Sequence, residues 1–357
     1  MKIEKGIISS SQLMFLIIGL LQASSLTAAF IVGVTKQDTW LVLLAGFIIS
    51  LPLLLVYTSL SKKNPGKNLI EINNEIYGYY FGIVMSTLYI CFFEFIIPGN
   101  LRFISDFFST YLFPETDISV FVIITIIICM YTVKKGIEVI ARSGFILTIL
   151  SIIVSIFISI VTTKDIQLSN FLPAFQLNLK EFVQGTNLMI SIPFGEIIVF
   201  LMIFPYVNQI KQVKKFAFWG LIIGGILFLN IIFRNIGILG NIASIQVLPS
   251  YQVAKNINIG DIIERTEVLI AVVLLFNVFL KICIFYYATV LSIAQLFKLR
   301  SYKPLVMPVG IISAILSMSM YNSTVDEVYL SSIYSVFVIP FIILFPIISL
   351  IIAYIRK

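Results

Sequence analysis

Six side chains that carry charge lie inside long apolar runs: Glu94, Arg102, Asp106, Glu196, Arg234 and Lys281. A charge at the centre of a membrane span costs about 2.5–3.5 kcal/mol on insertion scales, so each needs a partner, a cavity or a task. Glu196 stands in SIPFGEIIVF, residues 191–200, close behind Pro193 and beside Gly195. Proline frees the carbonyl four residues earlier, here that of Met189, and Gly195 lets the chain turn. Three costly choices together point to a discontinuous helix lining a polar site. Lys281, mid-way along another run, needs a carboxylate or a cavity. Glu196 and Glu94 are the candidate partners, and a fixed cation where a transporter would hold sodium is the alternative. Arg102 and Asp106 are four apart and share a helix face, so they pair. Arg234 lies near the end of its run and is expected to snorkel.

Enzyme chemistry finds little support. The chain has no histidine, which removes His-based metal sites, Ser-His-Asp triads and His proton relays. Cys91, Cys129 and Cys283 are far apart, with no metal spacing or disulfide framework, and read as buried thiols acting as small hydrophobes. No nucleophile elbow, P-loop or dinucleotide fingerprint is present. No cofactor and no metal are expected.

The elements that must hold these charges are membrane helices. Of 357 residues, 59% are hydrophobic and 11% charged. A soluble domain of this size needs far more charge. Ten segments approach the roughly 20 apolar residues a crossing needs. They are about 11–33, 40–60, 79–109, 118–133, 144–162, 185–206, 216–236, 267–297, 304–320 and 333–354. The first reads as a retained span, not a cleaved signal peptide. One set of connections carries 16 of the 24 Lys and Arg residues, from Lys2 and Lys5 to Arg356 and Lys357. The opposite set carries five: Lys36, Lys164, Lys180, Lys255 and Arg265. The positive-inside rule then puts both termini in the cytoplasm. The net charge of +7 is therefore topological and no sign of nucleic-acid binding. The connections at about 163–184 and 237–266 are too short for a separate soluble domain and suit short surface helices.

The first span carries GLLQASSLTAAF at 19–30, with Gly19, Gln22, Ser24, Ser25 and Thr27 as a polar, small-residue patch. Spans one and six hold equivalent places if ten helices form two inverted five-helix repeats. Paired interruptions in corresponding spans point to a transporter-type site. Plain small-residue helix packing is the competing reading of the span-one patch.

Several stretches, in order and spacing, resemble one family. They are VTKQDTWLVLLAG at 34–46, KKGIEVIAR at 134–142, LPAF at 172–175, FGEIIVFLMIFP at 194–205, LPSYQVAKNINIGDIIERTEVL at 248–269 and FLK at 279–281. The chain resembles the B subunit of nutrient germinant receptors, the endospore germination permeases of the amino acid–polyamine–organocation superfamily. The resemblance implies an all-α integral membrane protein with about ten transmembrane helices. It implies a LeuT-like 5+5 inverted repeat with discontinuous helices 1 and 6, all within one domain, 1–357, with repeats at about 8–163 and 183–356. It implies A and C subunits as partners in the spore inner membrane, and a small germinant, an amino acid, bound in a transporter-like pocket. Mapped here, that pocket takes Gln22, Ala23, Ser24, Ser25, Thr27, Ser191, Pro193, Phe194, Gly195 and Glu196, with Glu94 and Lys281 from spans three and eight. The family's superfamily often has a glycine-rich break in span one; here the stretch is QASS. In this pocket a half-helix end would receive the ligand's carboxylate, Glu196 its ammonium, and Phe194, Phe200 and Leu21 its side chain. Two other readings compete: a secondary amino-acid transporter coupled to protons through Glu196 or Lys281, and a scaffold with a vestigial pocket.

Overall fold

The computed structural model describes residues 3–27, 29–255, 266–321 and 324–356, except the side chains of 26, 27, 29, 30, 324, 325, 327–329, 331 and 332. Helices account for almost every described element. Lipid offers no hydrogen bonds, so an apolar run must satisfy its own backbone, and the α-helix does so within one segment.

Span one comprises α1 (Ser10–Thr27) and α2 (Ala29–Thr35), and a short 3-10 turn leads into α3 (Thr39–Lys63), span two. A surface helix, α4 (Leu69–Tyr77), precedes α5 (Tyr79–Phe107), α6 (Ile118–Lys135) and α7 (Ile137–Val161), which are spans three to five. Span six opens as α8 (Leu179–Met189), continues as a π turn at Ile190–Phe194 and tightens to a 3-10 helix at Gly195–Met202. Span seven is α9 (Val213–Leu239), followed by the short α10 (Pro249–Lys255) and then span eight, α11 (Glu267–Leu296). Span nine is α12 (Lys303–Ser319). Span ten is α13 (Thr324–Phe337), a π turn at Pro340–Leu344 and α14 (Phe345–Ile355). Among the described residues, eight helices are long and apolar enough to cross a membrane, and two shorter apolar helices, Ser10–Ser25 and Lys303–Ser319, make up the expected ten.

Local chemistry sets several starts. Asn178 and Glu181 form a reciprocal capping box at the start of α8, with bonds of 2.9 and 3.1 Å. Asp117 caps α6 by accepting from Ser119 N at 2.8 Å, and the hydrogen bonds from Ser119 hold its carboxyl below the usual carboxylate range. The connections at 163–184 and 237–266 do hold short helices, among them Leu168–Phe171 and α10.

Burial ranks the spans. The apolar window of Leu179–Met202 is 94% buried and that of Glu267–Leu296 67%, against 28% for α7 and its extension. Spans six and eight are therefore central, and span five sits at the rim with Ile146, Ile153 and Ile160 exposed as a lipid-facing row. Cys129 and Cys283 are buried as expected, but Cys91 is exposed on the outer surface of α5.

Both ends of the bundle are tied down. On the Lys-rich side the chain before α1 pairs with the end of span six: Ile8 N donates to Tyr206 O and Asn208 N to Ile8 O, both at 2.9 Å. Glu4 anchors this segment. Its Oε1 accepts from Lys5 N and Gly6 N at 2.7 Å, and its Oε2 from Tyr302 at 3.1 Å and Tyr287 at 3.4 Å. On the opposite side buried Asp38, between spans one and two, accepts from Phe175 N at 3.0 Å and Gln176 N at 2.7 Å. That contact straps the loop after span five across the end of span one.

Candidate functional site

The polar centre lies where spans one, six and eight meet. Lys281 Nζ is 2.7 Å from Glu196 Oε2, and both side chains are only 3% exposed. Lys281 also donates to Ser24 Oγ at 2.9 Å, while Ser24 donates to Glu196 Oε2 at 3.4 Å. Three spans thus converge on one charge pair and a hydroxyl. Each charge supplies what the other needs in an apolar interior, where either alone would be untenable. Of the two candidate partners for Lys281, the structure selects Glu196.

The discontinuity of span six is a change of winding. Gly195 N donates to Ile190 O across the π turn, and the chain then runs on as an eight-residue 3-10 helix. Runs of 3-10 helix longer than three or four residues are uncommon and mark a strained or functional segment. The expected exposed half-helix end is replaced by this hydrogen-bonded transition. Gly195 does not turn the chain either: its φ of −73° and ψ of −27° are ordinary helical values. Close approach explains the glycine. An added Cβ would lie 2.5 Å from Ile342 Cδ1 and 2.7 Å from Ile190 O. The start of the 3-10 stretch of span six therefore packs against the π turn of span ten. Ser191 Oγ donates to Ser335 O at 2.8 Å and Asn187 Nδ2 to Ser335 Oγ at 3.1 Å, which joins the same two spans. A groove of about 1110 Å³ runs between α8 and α13, lined by Val183, Asn187, Ser335 and Ile339 among others.

The other expected site residues divide. Gln22 and Ala23 are fully buried in α1, and QASS is regular helix, with Ser25 Oγ donating back to Gln22 O at 2.7 Å. The side chain of Thr27 lies outside the described residues. Pro193 is buried, as is Phe194, whose ring meets Phe47 edge-on at 5.9 Å. Leu21 and Phe200 are buried as well. Glu94 is not brought to the pair: its Oε1 accepts from Ser313 on α12 at 2.6 Å. Arg102 pairs with Asp106 at 2.8 Å, as their spacing requires. Arg234 does not snorkel; it is 2% exposed and bonded to Asn235 and Ser250.

Two further groups belong to this region. Asn277 lies one turn before Lys281 on α11, fully buried, and among the described residues neither of its amide atoms finds a hydrogen bond; the Gln22 amide is in the same condition. Gly19 lets Leu280 pack directly on the α1 backbone, since an added Cβ there would lie 2.5 Å from Leu280 Cδ2. Spans one and eight run in opposite directions, so one turn further along each brings Gln22 and Asn277 to one level. An asparagine four residues before a mid-span lysine was the signal in the sequence. The second group is the Tyr334 hydroxyl, buried and without a hydrogen bond among the described residues, on a ring stacked against Phe95 at 5.7 Å.

The fold and the site together define a transporter-like membrane protein with a closed polar centre. Solved structures agree on the fold. A nucleobase-cation-symport-1 family transporter, Mhp1, closed with bromovinylhydantoin bound, superposes with a TM-score of 0.62 at 14% identity, covering 87% of this chain and 72% of the transporter. MhsT in complex with L-phenylalanine gives 0.63 at 15% identity, covering 98% and 89%. These neighbours are LeuT-fold transporters, the fold class expected for this chain. The chain belongs to the spore germination permease family, whose model, described as spore germination protein, matches residues 7–325. Spore germination protein KB of Bacillus subtilis (strain 168) is 27% identical over 362 residues, 99% of this chain and 96% of that protein. Spore germination protein A2 of the same organism is 23% identical, covering 90% of this chain and 89% of its own length.

Proposed function

We propose that this chain is the germinant-sensing membrane subunit of a spore nutrient germinant receptor. It binds a small nutrient, an amino acid, in its transporter-like centre and signals to A and C subunits in the spore inner membrane, with both termini cytoplasmic. The repeats at about 8–163 and 183–356 frame that centre. The observation that carries the reading is the Glu196–Lys281–Ser24 cluster, closed off at the winding change of span six in a chain of this family.

The chemistry differs from a free glutamate waiting for an ammonium, because Lys281 already occupies that role. A zwitterion carries the same two charges as the pair. Its carboxylate can take the Lys281 ammonium while its ammonium takes Glu196, with the unsatisfied Gln22 and Asn277 amides supplying neutral hydrogen bonds. Such an exchange keeps the centre neutral, which an apolar interior demands. It also separates span six from span eight. A ligand shifts an equilibrium only by its differential affinity for two states, and the intact and the opened pair are two such states.

The test is germination of purified spores against a panel of amino acids and nucleosides. Wild type, a deletion of this chain, Glu196→Gln and Asn277→Ala are compared at matched protein levels. Deletion should abolish the response to particular nutrients, and the two variants should shift their half-maximal concentrations by about tenfold or more, the equivalent of about 1.4 kcal/mol. Unchanged potency in both normally accumulated variants would sink the assignment of the pocket. Ion-gradient-driven uptake of the same amino acids by the purified chain would support the transporter reading in its place.

A further inference from the structure

Arg234 is a buried cation outside the Glu196 centre, and its partners among the described residues are all neutral. Its Nε and Nη2 both donate to Asn235 Oδ1, at 3.3 and 3.0 Å, and Nη2 also to Ser250 Oγ at 3.1 Å. Nη1 is buried with no hydrogen bond among the described residues. No salt bridge joins Arg234 to a carboxylate among the described residues. Asn235 Nδ2 donates to the same Ser250 oxygen at 2.9 Å, so that oxygen accepts twice and its own O–H proton has no acceptor among the described residues. Arg234, Asn235 and Ser250 are exposed by only 2, 4 and 4%.

A guanidinium taken out of water without a counter-charge is costly, and an unsatisfied donor beside it adds to the cost. Arginine offers five donors in a planar fork that matches carboxylates and other small anions. Among the described residues the fork has one unused arm, and a hydroxyl whose proton has no acceptor stands at its side. Two spare donors on a net positive charge form the complement of an anion.

We propose that Arg234, Asn235 and Ser250 form a binding site for one small anion, a solute carboxylate or an inorganic anion, beneath α10 at the Lys-poor end of span seven. Ser250 belongs to α10, so the anion ties this helix to α9. The helix is also held by Tyr251, whose ring lies 5.6 Å from Phe107 and 5.0 Å from Tyr111 on the third span, and by Thr266, which donates to Ala254 O at 2.5 Å. Anion binding therefore fastens the cover over three spans. The site stands whether or not the Glu196 centre takes a nutrient.

Thermal unfolding of the purified full chain in nanodiscs tests this. Sodium chloride, sodium acetate or glycine is titrated into a sodium HEPES background, with ionic strength held constant. Wild type should show a saturable rise of about 2–4 °C at tenfold over half-saturation. The rise should vanish in Arg234→Gln and need a several-fold higher concentration in Ser250→Ala. A response to both acetate and glycine identifies a solute carboxylate, and one to chloride alone an inorganic anion. If Arg234→Gln does not fold, the Ser250→Ala shift decides by itself. The proposal is overturned if wild type shows no saturable rise, if Ser250→Ala responds as wild type does, or if a folded Arg234→Gln does.

Discussion

Replacing Glu196 by glutamine keeps the shape of the side chain and deletes its charge. The Lys281 ammonium is then left 3% exposed with the Ser24 hydroxyl at 2.9 Å and no anion. Removing one partner of a buried pair costs about 3–5 kcal/mol, because the remaining charge is uncompensated. Lys281→Met leaves the reverse problem: Glu196 keeps only the Ser24 hydroxyl, at 3.4 Å. Independent losses would sum to about 6–10 kcal/mol in the double variant. The double variant, however, has no charge left to bury, and well-packed neutral replacements of a buried pair are often close to neutral. It should therefore lose about 0–2 kcal/mol and be more stable than either single variant. The coupling is measurable by denaturant titration of the purified protein in mixed micelles, with each variant's midpoint read by tryptophan fluorescence from Trp40 and Trp219. A double variant that loses the full sum refutes the direct pair. So does a loss below about 1 kcal/mol in both single variants, since two mutually dependent buried charges cannot be removed that lightly.

Other contacts give shorter tests. Gly195→Ala forces a methyl against Ile342 and against the Ile190 carbonyl, which is backbone and yields little; a loss of about 1–3 kcal/mol in thermal stability is expected. Asp38→Asn replaces one of the two oxygens that accept from Phe175 N and Gln176 N with an amide that donates. About 1–3 kcal/mol of local protection should be lost, read as faster hydrogen exchange at 172–178. Glu4→Ala leaves the Lys5 and Gly6 amides without their acceptor and the Tyr302 hydroxyl with only the longer bond to Val133 O, at 3.4 Å. The exchange of Ile8 and Asn208 amides should accelerate by about tenfold or more, and wild-type rates there would show that Glu4 does not hold the segment.

Apolar length carried the number of spans, and basic residues marked one set of connections. Both are properties of single segments against a lipid solvent, so no tertiary information was needed. The Arg102–Asp106 pair was legible for a similar reason, since helix geometry alone brings residues four apart together. Arg234 was misjudged because snorkelling assumes open solvent at the helix end, and that space is filled by Ser250, 16 residues further on, where the chain folds back over the end of span seven. Gly195 was correctly singled out for the wrong reason. Its need for a small side chain comes from Ile342, nearly 150 positions away, and no local pattern announces such a neighbour.

The sequence by itself determined that this chain is a bundle of membrane helices and that spans one and six are irregular in composition. It also determined that a few charges inside the bundle require partners. Those conclusions follow from the cost of polar groups in hydrocarbon, which acts on each residue where it stands. Tertiary structure alone decided that Lys281 takes Glu196 and that Glu94 takes Ser313. It also decided that the buried Gln22 and Asn277 amides find no hydrogen bond among the described residues. A buried charge specifies that a partner must exist but not which one. The choice is made by how helices pack, and packing depends on side-chain shape summed over every contact between spans.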